Sequence, residues 1–103
     1  MRDNIVNAVF RGGIACRTSP VYQHDYGMIL KFHSLDLPSI YEVHFSNAAE
    51  DGEAIPVLGN EDGVLIPDEL LVTGEPVYAW LYLHTTDSDG ETVYSITIPV
   101  IER

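Results

Sequence analysis

The chain has 103 residues, 46% of them apolar, and carries five Lys or Arg against sixteen Asp or Glu, a formal charge of −11. That length supports one domain with its own core, and the apolar content excludes disorder. The acidity disfavours a nucleic-acid-binding role, because a body of this charge repels phosphate backbones.

No apolar stretch approaches the roughly 20 residues of a membrane-spanning helix. The first ten residues hold no continuous apolar segment of signal-peptide length, so membrane insertion and a secretory signal are not expected. Export, if any, is expected by lysis or as part of something assembled in the cytoplasm. The charge is uneven: residues 1–24 hold Arg2, Arg11 and Arg17 against Asp3, a balance of +2, and the rest holds Lys31 and Arg103 against fifteen carboxylates, a balance of −13. A mildly basic segment on an acidic body reads as an N-terminal arm or docking strand for an acidic surface, such as a neighbouring copy.

In chain order, Ile5 to Phe10 predicts a first strand, stopped at Gly12-Gly13 and resumed at Ile14 to Cys16, with the glycines allowing a bulge. Cys16 is the one cysteine, so it forms no intrachain disulfide and is read as a small buried hydrophobe. Ser19-Pro20 breaks the pattern, and Met28 to His33 is the next strand region. Ile40 to Ser46 alternates most clearly, with Tyr41, Val43 and Phe45 on one face and Glu42, His44 and Ser46 on the other. Ala54 to Leu58 reads as an edge strand because Pro56 lacks a donor, and Val64 to Ile66 as a short strand. Pro67-Asp-Glu opens the only expected helical turn, which Gly74 and Pro76 keep short.

The strongest local signal is the final hairpin. Val77–Thr85 and Thr92–Ile101 are β-branched and aromatic runs joined by the acidic segment Thr86 to Glu91. Asp-Gly recurs at residues 51–52, 62–63 and 89–90, each between expected strands, where glycine supplies the positive φ of a tight turn. Together these predict an all-β protein: a single antiparallel β-sandwich or small jelly-roll of about seven strands, spanning residues 1–103.

Chemistry is weakly signalled. Asp87 to Glu91 imitates the start of a calcium loop, but the twelfth position is Ile98 rather than a glutamate, so the EF-hand reading fails. His24, His33, His44 and His84 form no metal-ligand spacing, and no zinc framework is available, although His44 and His84 could meet across a sheet. There is no Gly-x-Ser-x-Gly elbow and no glycine-rich phosphate loop, and the paired carboxylates lie in turns or at the helix start. A non-enzymatic protein without cofactor or metal is expected.

The exception is the face of Val77–Thr85 that carries Tyr78, Trp80, Tyr82 and His84, opposite the aliphatic Val77, Ala79, Leu81 and Leu83. Aromatic rings with polar tips suit a half-wet contact surface, and Tyr94 on the next strand is expected to extend it. Cover by the domain's own loops is the competing expectation. The candidate interface residues are therefore Tyr78, Trp80, Tyr82 and Tyr94, with Arg2, Arg11 and Arg17 from the basic segment.

The segments Asp25 to Phe32, Tyr41 to Ser46, Asp62 to Leu70, Pro76 to His84, Asp89 to Tyr94 and Ile98 to Val100, in that order, resemble a small β-domain of structural proteins in tailed phages and prophages of gut Firmicutes. The resemblance spans about residues 22–102. It implies a virion-associated module of a tail, baseplate or fibre, contacting other virion proteins or copies of itself, and supplies no catalytic residue. Members often continue into a linker and fibre or helical segments, whereas this sequence stops at Arg103, as in a stand-alone member, a fragment or a shorter particle protein. Two other functions remain open on the residues alone: a small acidic inhibitor of a host defence protein, and carbohydrate binding through Tyr78, Trp80 and Tyr82.

Overall fold

A computed structural model of the chain describes residues 4–35, 37–48, 54–84 and 91–102, without the side chains of His84 and Glu91. The described residues form ten strands and one helical turn: β1 (Ile5–Val9), β2 (Ala15–Arg17), β3 (Val21–Tyr22), β4 (Ile29–His33), β5 (Tyr41–Ser46), β6 (Ile55–Gly59), β7 (Val64–Leu65), α1 (Asp68–Leu71), β8 (Val77–His84), β9 (Glu91–Ile98) and β10 (Val100–Ile101). The protein is all-β. Its strands fall into three sheets, ordered β1-β4-β7, β10-β3 and β2-β9-β8-β5-β6.

The sheets are mixed, which departs from the expected antiparallel layers. The pairs β4–β7, β5–β6, β5–β8 and β8–β9 are antiparallel, but β1–β4, β2–β9 and β3–β10 are parallel. Parallel neighbours need a long connection, and each of these pairs is widely separated in sequence. The strand count exceeds seven because the first run divides at Gly12-Gly13 into β1 and β2 in different sheets, Pro99 splits the last run into β9 and β10, and Val21–Tyr22 adds a short strand.

Residues 5–22, expected in an arm or docking strand, pair inside the domain. Val6, Ala8 and Phe10 are buried. Beyond Gly12-Gly13 the chain runs parallel to the final strands. The amides of Thr18, Val21 and Gln23 donate to the carbonyls of Thr97, Pro99 and Ile101 at 3.0, 2.9 and 2.8 Å. This ribbon survives the break at Ser19-Pro20 because Pro99 interrupts the partner nearby.

The core is one cluster fed by both larger sheets. Leu30 and Val64 come from the three-stranded sheet, and Val43, Phe45, Val77, Ala79, Leu81, Ile96 and Ile98 from the five-stranded one. On β8 the aliphatic residues Val77, Ala79 and Leu81 are fully buried, and Leu83 packs at the margin. The helical turn is as short as expected. Leu71 is buried, Gly74 takes φ +76°, and the Asp68 carboxylate accepts a hydrogen bond from the Gly27 amide at 3.0 Å. Asn47 ties the end of β5 to this region, donating to the carbonyls of Leu70 and Pro76, each at 3.1 Å.

Of the three Asp-Gly sites only residues 62–63 are described; the turns at 51–52 and 89–90, and the calcium-like segment 87–91 apart from the backbone of Glu91, lie outside the described residues. In the Asn60–Gly63 turn, the two end residues exchange backbone hydrogen bonds of 3.0 and 2.9 Å. Glycine closes this turn at φ +116° instead of occupying its centre.

Two core-facing groups make the fold sensitive to alkali. Burial pushes the Cys16 thiol up, against a smaller opposing effect of a hydrogen bond with the Val9 backbone, and burial also pushes the Tyr41 phenol up. Both stay neutral in the fold after they would ionise in the unfolded chain. Stability is therefore fully present below about pH 9 and falls as pH rises through and beyond about 10. Denaturation midpoints measured across this range should drop, and drop less in Tyr41→Phe. A flat profile for the wild-type chain would contradict the burial of both groups.

Candidate interaction face

The five-stranded sheet has an inner face in the core and an outer face whose composition follows from register. Antiparallel partners directly opposite each other share a face. Tyr78 lies between Ser46 on β5 and Thr97 on β9, Trp80 between His44 and Ser95, and Tyr82 between Glu42 and Val93. The parallel pairing of β2 adds Ala15 beside Ser95 and Arg17 beside Thr97, and β6 adds Pro56 beside His44 and Leu58 beside Glu42. The result is a grid three side-chain rows deep, with rows about 6.8 Å apart and strands about 4.8 Å apart.

The three aromatics run down the middle strand of this grid, half-buried by their neighbours. Their flanks differ. Toward β9 lie the short side chains of Ser95, Thr97 and Val93. Toward β5 lie His44 and Glu42, whose side chains meet: the imidazole Nε2 donates to the Glu42 Oε1 at 2.8 Å. The same imidazole packs on Tyr82, with ring centroids 4.6 Å apart and planes at 55°. Tyr78 and Trp80 are stacked with near-parallel rings, at 28° with centroids 6.5 Å apart. This spacing matches the two-residue repeat of one strand face, so β8 displays the rings as a continuous strip.

Beside Tyr82 the face opens into a shallow cavity of about 390 Å³ lined by Pro38, Ile40, Tyr41, Glu42, Leu58, Tyr82 and Leu83. Ile40 and Leu58 are strongly solvent-exposed, at 64% and 70%.

The predicted site residues separate. Tyr78, Trp80, Tyr82 and Arg17 share the outer face. Tyr94 does not: it is opposite Leu81, on the core side, with its ring edge-on to Phe10 at 5.1 Å and 71°. The hairpin register determines this, because a shift of one residue would have turned Tyr94 outward. Arg11 is exposed in the bend between β1 and β2 and is not brought onto the face by any strand pairing. Arg2 lies outside the described residues, as does the side chain of His84, so its expected approach to His44 has no described geometry.

Glu42 and His44 belong to this face although neither is among the interface residues expected from the sequence. The signal was present in their alternation, but their adjacency to the aromatics needed the β5–β8 register. Among the described residues, no three His, Cys, Asp or Glu side chains gather as metal ligands. Cys16 points inward beside Ile96, and desolvation of its thiol disfavours the thiolate that a nucleophile requires.

No protein-family model matches the chain, and comparison with curated proteins gives no significant match.

Proposed function

We propose that the chain is a non-enzymatic structural module of a tailed-phage or prophage particle, acting through protein–protein contact in a tail, baseplate, fibre or decorating assembly. The observation that carries the contact reading is the strip Tyr78–Trp80–Tyr82 on an outer sheet face, half-buried and flanked by exposed Leu58 and Arg17. Tyr, Trp and Arg dominate the energetics of protein interfaces because they combine large apolar area with a polar end. The particle assignment rests on the sequence resemblance and on the order of its motifs.

The test is peptide mass spectrometry of particles purified from an induced host. The chain should copurify at structural stoichiometry, and Trp80→Ala should reduce its incorporation while the isolated variant keeps its far-ultraviolet circular dichroism. A chain absent from purified particles but found on a host defence protein would instead be the acidic inhibitor.

Carbohydrate binding is the second reading, and one observation favours it: Tyr78, Trp80 and Tyr82 share one half-exposed outer sheet face, and aromatic side chains of this kind pack against the apolar faces of sugar rings. Trp80 is the sole tryptophan, so its fluorescence reports any occupant of the face. Saturable spectral change on glycan titration supports this reading, and an unresponsive spectrum rejects it.

A further inference from the structure

We infer that the occupant of the aromatic face is a second copy of this chain, docked face to face about a two-fold axis lying in the interface plane. This inference rests on the contact reading above and names its partner.

The argument begins with two charges. Arg17 sits on β2 in the row of Thr97 and Tyr78, and Glu42 sits on β5 in the row of Tyr82. They occupy diagonally opposite corners of the part of the grid that runs from β2 to β5, three strands and two rows apart, about 20 Å at ordinary sheet spacings, with Leu58 on β6 beyond Glu42. Both are exposed, and Arg17 has no ion-pair partner among the described residues. Glu42 spends one carboxylate oxygen on His44, which leaves the other to accept from a guanidinium.

A two-fold axis in the plane of the face, drawn across the midpoint of that diagonal, exchanges the corners. It places Arg17 of one copy on Glu42 of the other, and the same operation forms the reciprocal pair. A closed isologous interface requires such self-complementarity. The midpoint falls in the row of Ser95 and Trp80, so the largest ring of the strip packs near the axis against its own equivalent. The apolar centre is then flanked by charge pairs at the rim, the usual anatomy of a specific interface.

The diagonal also sets the strand angle. With the two sides of that β2-to-β5 rectangle nearly equal, the strands of the two copies cross at close to 90°, which is the orthogonal class of sheet packing. The face measures roughly 24 by 20 Å, near the lower limit for a specific interface. The association is accordingly weak and reversible for the free chain, opposed by the repulsion of two bodies of charge −11, and strengthened where copies are concentrated.

The experiment is sedimentation equilibrium of the full chain over a concentration series, with Trp80 fluorescence as a local reporter. The wild-type chain should form dimers at high concentration. R17E and E42R each replace two attractions by two repulsions and should weaken self-association by about tenfold or more. Mixing R17E with E42R in equal amounts should restore association as a heterodimer, because both corner pairs are again opposite in charge. No merely structural role of either residue produces that rescue.

A wild-type chain that stays monomeric at millimolar concentration, single reversals that leave association unchanged, or a mixture no more associated than its parts would each overturn the dimer. Particle incorporation separates the two claims. Incorporation that survives R17E but fails in Trp80→Ala keeps the contact module and removes the second copy, whereas charge-swapped dimers of a chain absent from particles keep the second copy and remove the particle role.

Discussion

Phe45→Ala is expected to lower stability by about 3–5 kcal/mol, a large share of the roughly 5–15 kcal/mol that holds a domain of this size. Phe45 is fully buried on β5, between Ala79 on β8 and Ile55 on β6. The small Ala79 opposite leaves room for the ring, and neither neighbour can extend into the space that truncation would leave. The cost therefore includes a cavity as well as lost transfer energy. The denaturant midpoint should fall with little change in slope. A loss below about 1 kcal/mol would mean that the ring is not part of a packed core. Trp80→Ala on the opposite face removes only half-buried surface and should cost distinctly less.

Gly63→Ala is expected to be the most damaging glycine substitution in the described turns, at about 2–4 kcal/mol from backbone strain and overpacking together. At φ +116° the backbone is in a region that residues with a Cβ avoid. An added Cβ would also stand 2.8 Å from the Leu30 carbonyl oxygen and 2.7 Å from Ile29 Cγ2. The carbonyl belongs to the central strand of the three-stranded sheet and cannot move aside as a flexible side chain would. The turn carries the chain from β6 in one sheet to β7 in another, and β7 holds only two residues against β4. Strain there is concentrated on the link between the sheets. Thermal unfolding of Gly63→Ala beside the control Asp62→Ala checks this, and two variants of equal stability would contradict it.

Much of the fold was legible because strand alternation is a local property. Tyr41, Val43 and Phe45 were separable from Glu42, His44 and Ser46 by position parity, and their burial follows that division except at Ser46. Ser46 is buried at the end of the outer face, where its hydroxyl accepts from the Ala48 amide at 3.0 Å. The aliphatic side of β8 and the single turn of α1 were readable for similarly local reasons. Parallel pairing was not, because an alternating strand carries the same pattern whichever direction its neighbour runs. Val21–Tyr22 was also missed, since two residues are too few to show a period.

The candidate face was half legible. Tyr78, Trp80 and Tyr82 share one side of one strand, so their grouping needs no tertiary information. Tyr94 is expected to extend the strip from the next strand of the hairpin, and the register places it instead on the core side beside Phe10. In the sequence Arg17 stands out only by its charge, and the parallel pairing of β2 with β9 brings it onto the same face as the rings.

By itself, then, the sequence determined an all-β chain, the two faces of its clearest strands, and an aromatic strip on β8. Those properties depend on residues one or two positions apart, within reach of the backbone's own period. The tertiary structure decided which strands are neighbours, in which direction, and in what register. These depend on how one core is closed by segments far apart in the chain, where a shift of one residue exchanges inside for outside. For that reason the diagonal of Arg17 and Glu42 across the aromatic strip is a property of the folded sheet alone.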